Sequence, residues 1–472
     1  MFMMKADSYI GSIHATLSTG ALVAAAYLGT FLASLDISIV NVALPTLQTA
    51  LATDMAGLQW VINAYALCLS ACMLSAGPLG DRHGHKRIWL LGVALFTAGS
   101  LLCALAASLP LLLAGRAVQG MAGALLIPGA MPILSHAFPD PRERAHVIGG
   151  WSAFSALALI LGPLLGGMLL DATSWQSIFL INLPLGLLAM LLGAWGITER
   201  HYREQASLDR MGQVLSIVWL GALTYGLIAL GEVGGPGGAA AWPSLGVALL
   251  TFIAFLAVEA RAPRPLLPLR LFRDRTFAVI NLASLVLGFA CYSSLFFFSL
   301  YLQQIQGWPA GASGWRMLPQ FAAMGIVSMC FGRLSHHVSL RRLMLGGYVL
   351  AGLVLLATAT LAPQTPYAIV GSLFGLLGLA MGLAVPATGL LAMASVAGER
   401  AAMASAIMNA LRQAGMTMGV AVLGSVMSLR AAALLERAGQ VAALAAGFQL
   451  AMLLAGLTCL AVAWPLYWLP PK

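Results

Sequence analysis

Fourteen apolar stretches, each about 20 residues long, follow one another along this chain. A stretch of that length crosses the hydrocarbon of a bilayer as a helix, at about 1.5 Å of rise per residue. Inside lipid every backbone N–H and C=O needs an internal partner, and a helix supplies these within one segment. The expected fold is therefore an all-α integral membrane protein with 14 transmembrane helices. Charge content agrees. Only 8% of residues are charged and 60% are hydrophobic, against roughly 25% charged in a soluble domain. So few charges cannot cover a water-facing surface, so the surface faces lipid. The abundant small residues suit helices packed closely in a membrane.

The net charge of +9 would raise the question of nucleic acid in a soluble protein. Here the charges sit in short loops, where they orient the spans. With both termini inside, the inner segments hold Lys5, Arg82, Lys86, Arg87, Arg142, Arg144, Arg200, Arg203, Arg210, Arg261, Arg264, Arg270, Arg273, Arg275, Arg333, Arg341, Arg342, Arg400 and Lys472. The outer loops hold only Arg430 and Arg437, while Arg116, Arg316 and Arg412 lie within or at the ends of spans. Adding or dropping one early span would scramble this bias. The first apolar run carries Asp36 and follows no clear cleavage site, so it reads as a retained span, not a signal peptide.

Six spans lie between about residues 21 and 198, two near 211–231 and 242–259, and six between about 277 and 468. The implied division is a six-helix half over 1–200, an inserted pair over 201–265 and a second six-helix half over 266–472. Two such halves suggest a parallel repeat, with a binding site between them near the midplane. The glycine-rich stretch 231–238 lacks the strand–loop–helix context of a phosphate cradle and reads as a turn. Cys68, Cys72, Cys103, Cys291, Cys330 and Cys459 all fall in apolar runs and read as small buried hydrophobes. His336 and His337 have no carboxylate or cysteine beside them, so no metal site is expected.

The loop after the second span contains Gly77, Asp81, Arg82, Gly84, Lys86 and Arg87. Its glycines permit a tight turn, and Asp81 can face a helix N-terminus or pair with a basic residue of a neighbouring span. Asp36 is the clearest acid deep in a span. An ionisable group there is costly and is a functional candidate by default, although a structural ion pair is the alternative. Loss of water favours the neutral carboxyl, so Asp36 is a candidate to take up and release a proton. Arg116 lies about 10 Å from the outer end of its own span, a depth comparable to that of Asp36. It does not usefully deprotonate and would instead tune a carboxylate. Gly162 and Pro163, with Gly166 and Gly167, place a helix breaker beside small residues and imply a bendable, closely packed span. Arg412 either balances charge or binds an anionic group. Asn41, Trp60, Tyr65, Gln119, Tyr292, Phe298, Tyr301, Gln303 and Asn409 complete a candidate substrate cavity, although aromatics at span ends are often interfacial anchors.

Taken together, these motifs resemble the 14-span drug:proton antiporter family of the major facilitator superfamily. The glycine–aspartate–arginine loop is similar to the superfamily's inner-loop motif. Leu35-Asp36 to Asn41 and Pro45, Arg116 to Gly120, Gly162 to Gly167 with Trp175, Phe179, Asn182 and Pro184, Gly307 to Gly314 before Pro319, and Asn409 to Gln413 carry the rest of the likeness. The resemblance implies the major facilitator fold. It also implies an Asp81–Arg82 latch on the outward-open state, an arginine involved in proton transfer at Arg116, and a glycine–proline motif characteristic of antiporters. Two departures are visible. The second-half counterpart of the inner-loop motif, near Gly332 to His337, lacks its aspartate. The span over 369–391 has no acid, although some multidrug relatives carry one there, which argues against divalent cationic drugs.

The expected function is proton-coupled export of hydrophobic or cationic drugs, or related small molecules, by alternating access. A dedicated metabolite or natural-product transporter on the same fold, working in export or import, is the alternative. No Walker-type loop, catalytic constellation or room for a soluble domain is present, which argues against a primary pump, an enzyme or a sensor. The expected partners are protons, the lipid bilayer and a small-molecule substrate, with a periplasmic adaptor protein as a further candidate. No cofactor and no nucleic acid are expected. The expected location is the cell inner membrane, multi-pass, with both termini cytoplasmic.

Overall fold

The computed structural model describes residues 2–199, 209–232, 236–263, 265–397 and 400–469. Arg200, Arg203, Arg264 and Lys472, and residues 233–235 of the glycine-rich stretch, lie outside the described residues. Among the described residues, fourteen helices are long and apolar enough to cross a membrane: α1 (Leu17–Ala50), α2 (Met55–Met73), α3 (His85–Ala104), α4 (Leu109–Ala137), α5 (Arg142–Ala172), α6 (Ser177–Gly196), α7 (Arg210–Ala229), α8 (Gly238–Arg261), α9 (Arg275–Ile305), α10 (Ala310–His337), α11 (Leu340–Thr358), α12 (Tyr367–Ala394), α13 (Met403–Ala438) and α14 (Gln440–Tyr467). The helix of α1 runs back without a break to Phe2. An even number of alternating spans puts the start of α1 and the end of α14 on one face, the terminal face. The other is the distal face.

Local chemistry sets the helix ends. Four of the few acids are N-caps: Asp54 accepts from the Gly57 amide (2.9 Å), Asp140 from Arg142 (2.8 Å), Asp209 from Gly212 (2.8 Å) and Asp274 from Phe277 (2.9 Å). Each satisfies an N–H that a helix start leaves without a partner. Gly84, between the short helix Ala76–His83 and α3, has φ of 95°, a left-handed conformation that suits glycine. Span α9 departs from regular helix twice, in π-helical turns at Gly288–Tyr292 and Tyr301–Ile305.

Burial sorts the spans into layers. The most apolar window of α9 is 78% buried and that of α1 72%, whereas α8 reaches only 17%. Spans α1 and α9 are therefore the centres of the two halves. Span α7 packs against both α2 and α13, and α8 lies outside it with its apolar side chains facing lipid. Gln213 donates to the Ala71 carbonyl (2.9 Å) and Ser425 to the Leu227 carbonyl (2.7 Å), fixing α7 to one helix of each half.

The halves meet along two seams. On one, Gln59 of α2 donates to the Val420 carbonyl of α13 (3.0 Å) and Ser70 to the Ala410 carbonyl (3.0 Å). On the other, α5 and α10 approach so closely near the distal face that a methyl group at Gly167 would lie 2.7 Å from the Gly311 Cα and 2.8 Å from the Ala310 oxygen. Contacts between α1 and α9 close the distal face: Ser299 to the Asn41 carbonyl (2.6 Å), Gln303 to the Val42 carbonyl (2.9 Å) and Gln304 to the Gln48 side chain (2.6 Å). Toward the terminal face, Ile326, Met329 and Leu334 of α10 are exposed instead.

Candidate functional site

Four of the residues singled out in the sequence meet inside the first half. Arg116, two turns into α4, turns its guanidinium across to Asp36 on α1. Its Nη1 donates to Asp36 Oδ2 and to Gln119 Oε1 (2.9 Å), and its Nε donates to the Val61 carbonyl (3.2 Å). Gln119, one turn further along α4, donates to Asp36 Oδ1 (3.1 Å) and to Ser100 Oγ (2.8 Å). The Tyr65 ring lies 4.6 Å beneath the guanidinium and its hydroxyl donates to the Ala33 carbonyl (3.2 Å). Asp36 is 0% exposed and Arg116 1%. Two charges so far from water are tolerable only when paired and hydrogen-bonded, and this cluster meets both conditions.

The motif on α5 works by contact. A methyl group at Gly162 would run into Ser38 of α1, and one at Gly166 would sit 2.8 Å from Ile39 Cγ1. Gly167 faces α10, and the Pro163 carbonyl faces Gly314. Two turns of α5 thus touch α1 on one side and the second half on the other. One turn further along α5, Asp171 accepts the Gly311 N–H (3.3 Å) in the first turn of α10. A carboxylate there is favoured by the helix dipole and joins the halves at the distal face.

On the terminal face, Asp81 Oδ1 lies 3.1 Å from His85 Nε2, and the His85 ring stacks against His136 at 6.4 Å. Glu199, past the end of α6, accepts the Lys86 (3.3 Å) and Arg87 (3.1 Å) amides, and Lys86 Nζ donates to the Ala194 carbonyl (2.7 Å). Arg82 is exposed. A Cβ at Gly77 would meet nothing within 4 Å. The loop is thus bound to its own half, with no ion pair to the second half among the described residues.

The other candidates separate by place. Asn41 and Gln303 belong to the distal closure. Asn41 also donates to the Ile37 carbonyl (2.7 Å), and its Oδ1 is buried without a partner. Trp60 lies 6.2 Å from Tyr225 and faces the inserted α7. Phe298 stacks on Phe374 (4.3 Å) and Tyr301 on Phe448 (4.8 Å), both fully buried in the packing of the second half. Arg412 donates to Asn409 Oδ1 (2.7 Å), lies 5.1 Å from the Tyr292 ring, and has a buried Nε without a partner. The sequence reading did not single out Asp171. It also missed Ser100, and it named Asn182 only within the family likeness and not as a site residue; the Asn182 Nδ2 donates to Ser100 (3.3 Å) at the edge of the Asp36 cluster. Asn182 was visible as a polar residue in an apolar span.

Two six-helix groups, a buried acid–arginine pair and closely packed interhalf seams define a membrane transporter. The sequence profile of the Major Facilitator Superfamily matches residues 26–420, and the chain belongs to that superfamily. It is 36% identical to the multidrug resistance protein Stp of Mycobacterium tuberculosis (strain CDC 1551 / Oshkosh), over 87% of this chain and 76% of that one. It is 33% identical to the methylenomycin A resistance protein of Bacillus subtilis (strain 168), over 95% of this chain and 96% of that one. Its fold is similar to that of a bacterial homologue of the human lysosomal transporter Spinster, with a TM-score of 0.67 at 17% identity, over 96% of each chain.

Proposed function

We propose that the protein is a proton-coupled exporter of small, predominantly hydrophobic, drug-like molecules, placed in the bacterial inner membrane with both termini in the cytoplasm. The observation that carries the reading is the fully buried Asp36–Arg116 pair at membrane depth beneath a closed distal face. In this reading the distal face is periplasmic, as the distribution of positive loop charges favours, and the conformation described is closed to that side. When the distal contacts part, Asp36 takes up a proton from the periplasmic side and its hold on Arg116 weakens. When the terminal side opens, the proton leaves and the pair re-forms. The halves rock about the α5–α10 seam, and the Asp81–Arg82 loop engages the second half only in the outward-open state. The gradient supplies the energy, so no cofactor takes part. The resistance functions in the relatives' names support export over import.

A dedicated exporter of one compound is the second reading, favoured by a relative named for a single antibiotic. Everted vesicles holding a pH gradient test both. Addition of several unrelated hydrophobic compounds is expected to dissipate the gradient through the wild type and not through Asp36→Asn. A response to one compound alone would select the dedicated reading. Equal responses from wild type and Asp36→Asn would remove Asp36 from the coupling role.

A further inference from the structure

The deep charges of this protein do not balance. Among the described residues, every acid within a span except Asp36 lies within three residues of a span end: Glu143, Asp171, Glu259 and Glu436. Asp36 is committed to Arg116. Arg316 sits toward the distal face with its guanidinium 3.5 Å from the Trp308 ring and 5.2 Å from that of Tyr367. Arg430, eight residues from the end of α13, is exposed. That leaves Arg412, some 14 Å into α13 by helical rise, without a carboxylate among the described residues. Its contacts are the neutral Asn409 side chain one turn away and the Tyr292 face. Neither cancels a unit charge, and a charge at membrane depth without a counter-ion is costly to keep.

The surroundings hold the guanidinium in place. A methyl group at Gly288 would run into the Arg412 carbonyl, so glycine is what lets α9 lie against α13 here. The π-helical turn that starts at Gly288 ends at Tyr292, the residue whose ring meets the guanidinium. Such turns cluster at functional sites. Met408 and Met416, one turn to either side on α13, are nearly fully buried and offer an adaptable apolar wall. Arg412 itself is half-buried, and its Nε carries a donor with no acceptor.

We propose that Arg412, with Asn409 and Tyr292, recognises an acidic group on the transported molecule, a carboxylate or phenolate attached to an apolar body. This rests on the exporter reading and narrows it to acids, in place of the cations that the sequence expectation included. An acid supplies the missing counter-charge, whereas a cation adds a second positive charge with only the already paired Asp36 to receive it. The planar guanidinium suits the two oxygens of a carboxylate.

Two xanthene dyes that differ mainly in charge make the test: fluorescein, an anion, and a rhodamine methyl ester, a cation. The full chain is reconstituted in liposomes under an imposed pH gradient and transport of each dye is followed. The wild type is expected to move fluorescein with at least about tenfold higher efficiency. Arg412→Gln should raise the KM for fluorescein roughly 10- to 100-fold and leave the rhodamine ester unchanged or improved, while Arg412→Lys should recover part of the loss. The wild-type preference needs no variant and stands even if Arg412→Gln folds poorly. Transport of the cation as well as or better than the anion overturns the proposal and leaves the exporter reading in place. Equal damage to both dyes in Arg412→Gln makes Arg412 a structural residue and also overturns it. Transport of neither dye by the wild type counts against the exporter reading and this proposal together.

Discussion

Lysine in place of Arg116 would keep the charge and lose the fork. One ammonium cannot serve Asp36, Gln119 and the Val61 carbonyl at once, because its three donors radiate from a single atom. At least one buried acceptor is left without a partner, at about 1–3 kcal/mol. Arg116→Leu goes further and strands Asp36 as an uncompensated charge, at about 3–5 kcal/mol. Thermal unfolding of the detergent-solubilised chain is expected to rank wild type above lysine and lysine above leucine. Equal melting of the two variants would mean that the geometry of the fork contributes nothing. Asp36 and Arg116 were legible in the sequence because ionisable residues are rare at such depth. Their partners were less so. Ser100 and Asn182 are ordinary polar residues until the fold brings α3 and α6 beside Gln119. Tyr301 and Phe298, by contrast, read as cavity aromatics, and the structure packs both rings inside the second half. Sequence position gives depth along a helix axis well and direction around it poorly.

At the scale of helices, the α5–α10 contact decides how firmly the distal face stays shut. Gly167→Val puts a branched side chain where even a methyl group lies 2.7 Å from backbone, so the seam must part. Asp171→Ala removes only a carboxylate at a helix start, worth about 0.3–1 kcal/mol, a few-fold shift in population. With the six native cysteines replaced and a reporter cysteine at Gln48, labelling by an impermeant maleimide from the distal side is expected to rise strongly in Gly167→Val and two- to fivefold in Asp171→Ala. Unchanged labelling in Gly167→Val would show that the seam yields elsewhere. The glycine–proline motif was conspicuous in the sequence, but its partner surface was not, since nothing local pairs residue 167 with residue 311. The π-helical turns of α9 were invisible to span counting for a related reason. They add a residue to a turn without changing the hydrophobicity that marks the span.

At the scale of the whole molecule, a short bismaleimide bridging Gln48→Cys and Gln304→Cys, whose native side chains meet at 2.6 Å, is expected to stop transport. Each single cysteine variant should stay active after the same treatment. Transport that survives the bridge would exclude rocking of one half against the other. The spans and the six-two-six grouping were legible because lipid imposes length and apolarity on every crossing helix. The lodging place of the inserted pair was not, because nothing local in the sequence pairs the Gln213 side chain with the Ala71 carbonyl or Ser425 with the Leu227 carbonyl. That lodging makes the two flanks of the protein unequal. Span α7 covers the groove between α2 and α13, and the inserted pair makes no comparable contact along α5 and α10. Among the described residues, the bilayer therefore meets the inserted α7 on one flank and α5 and α10 themselves on the other.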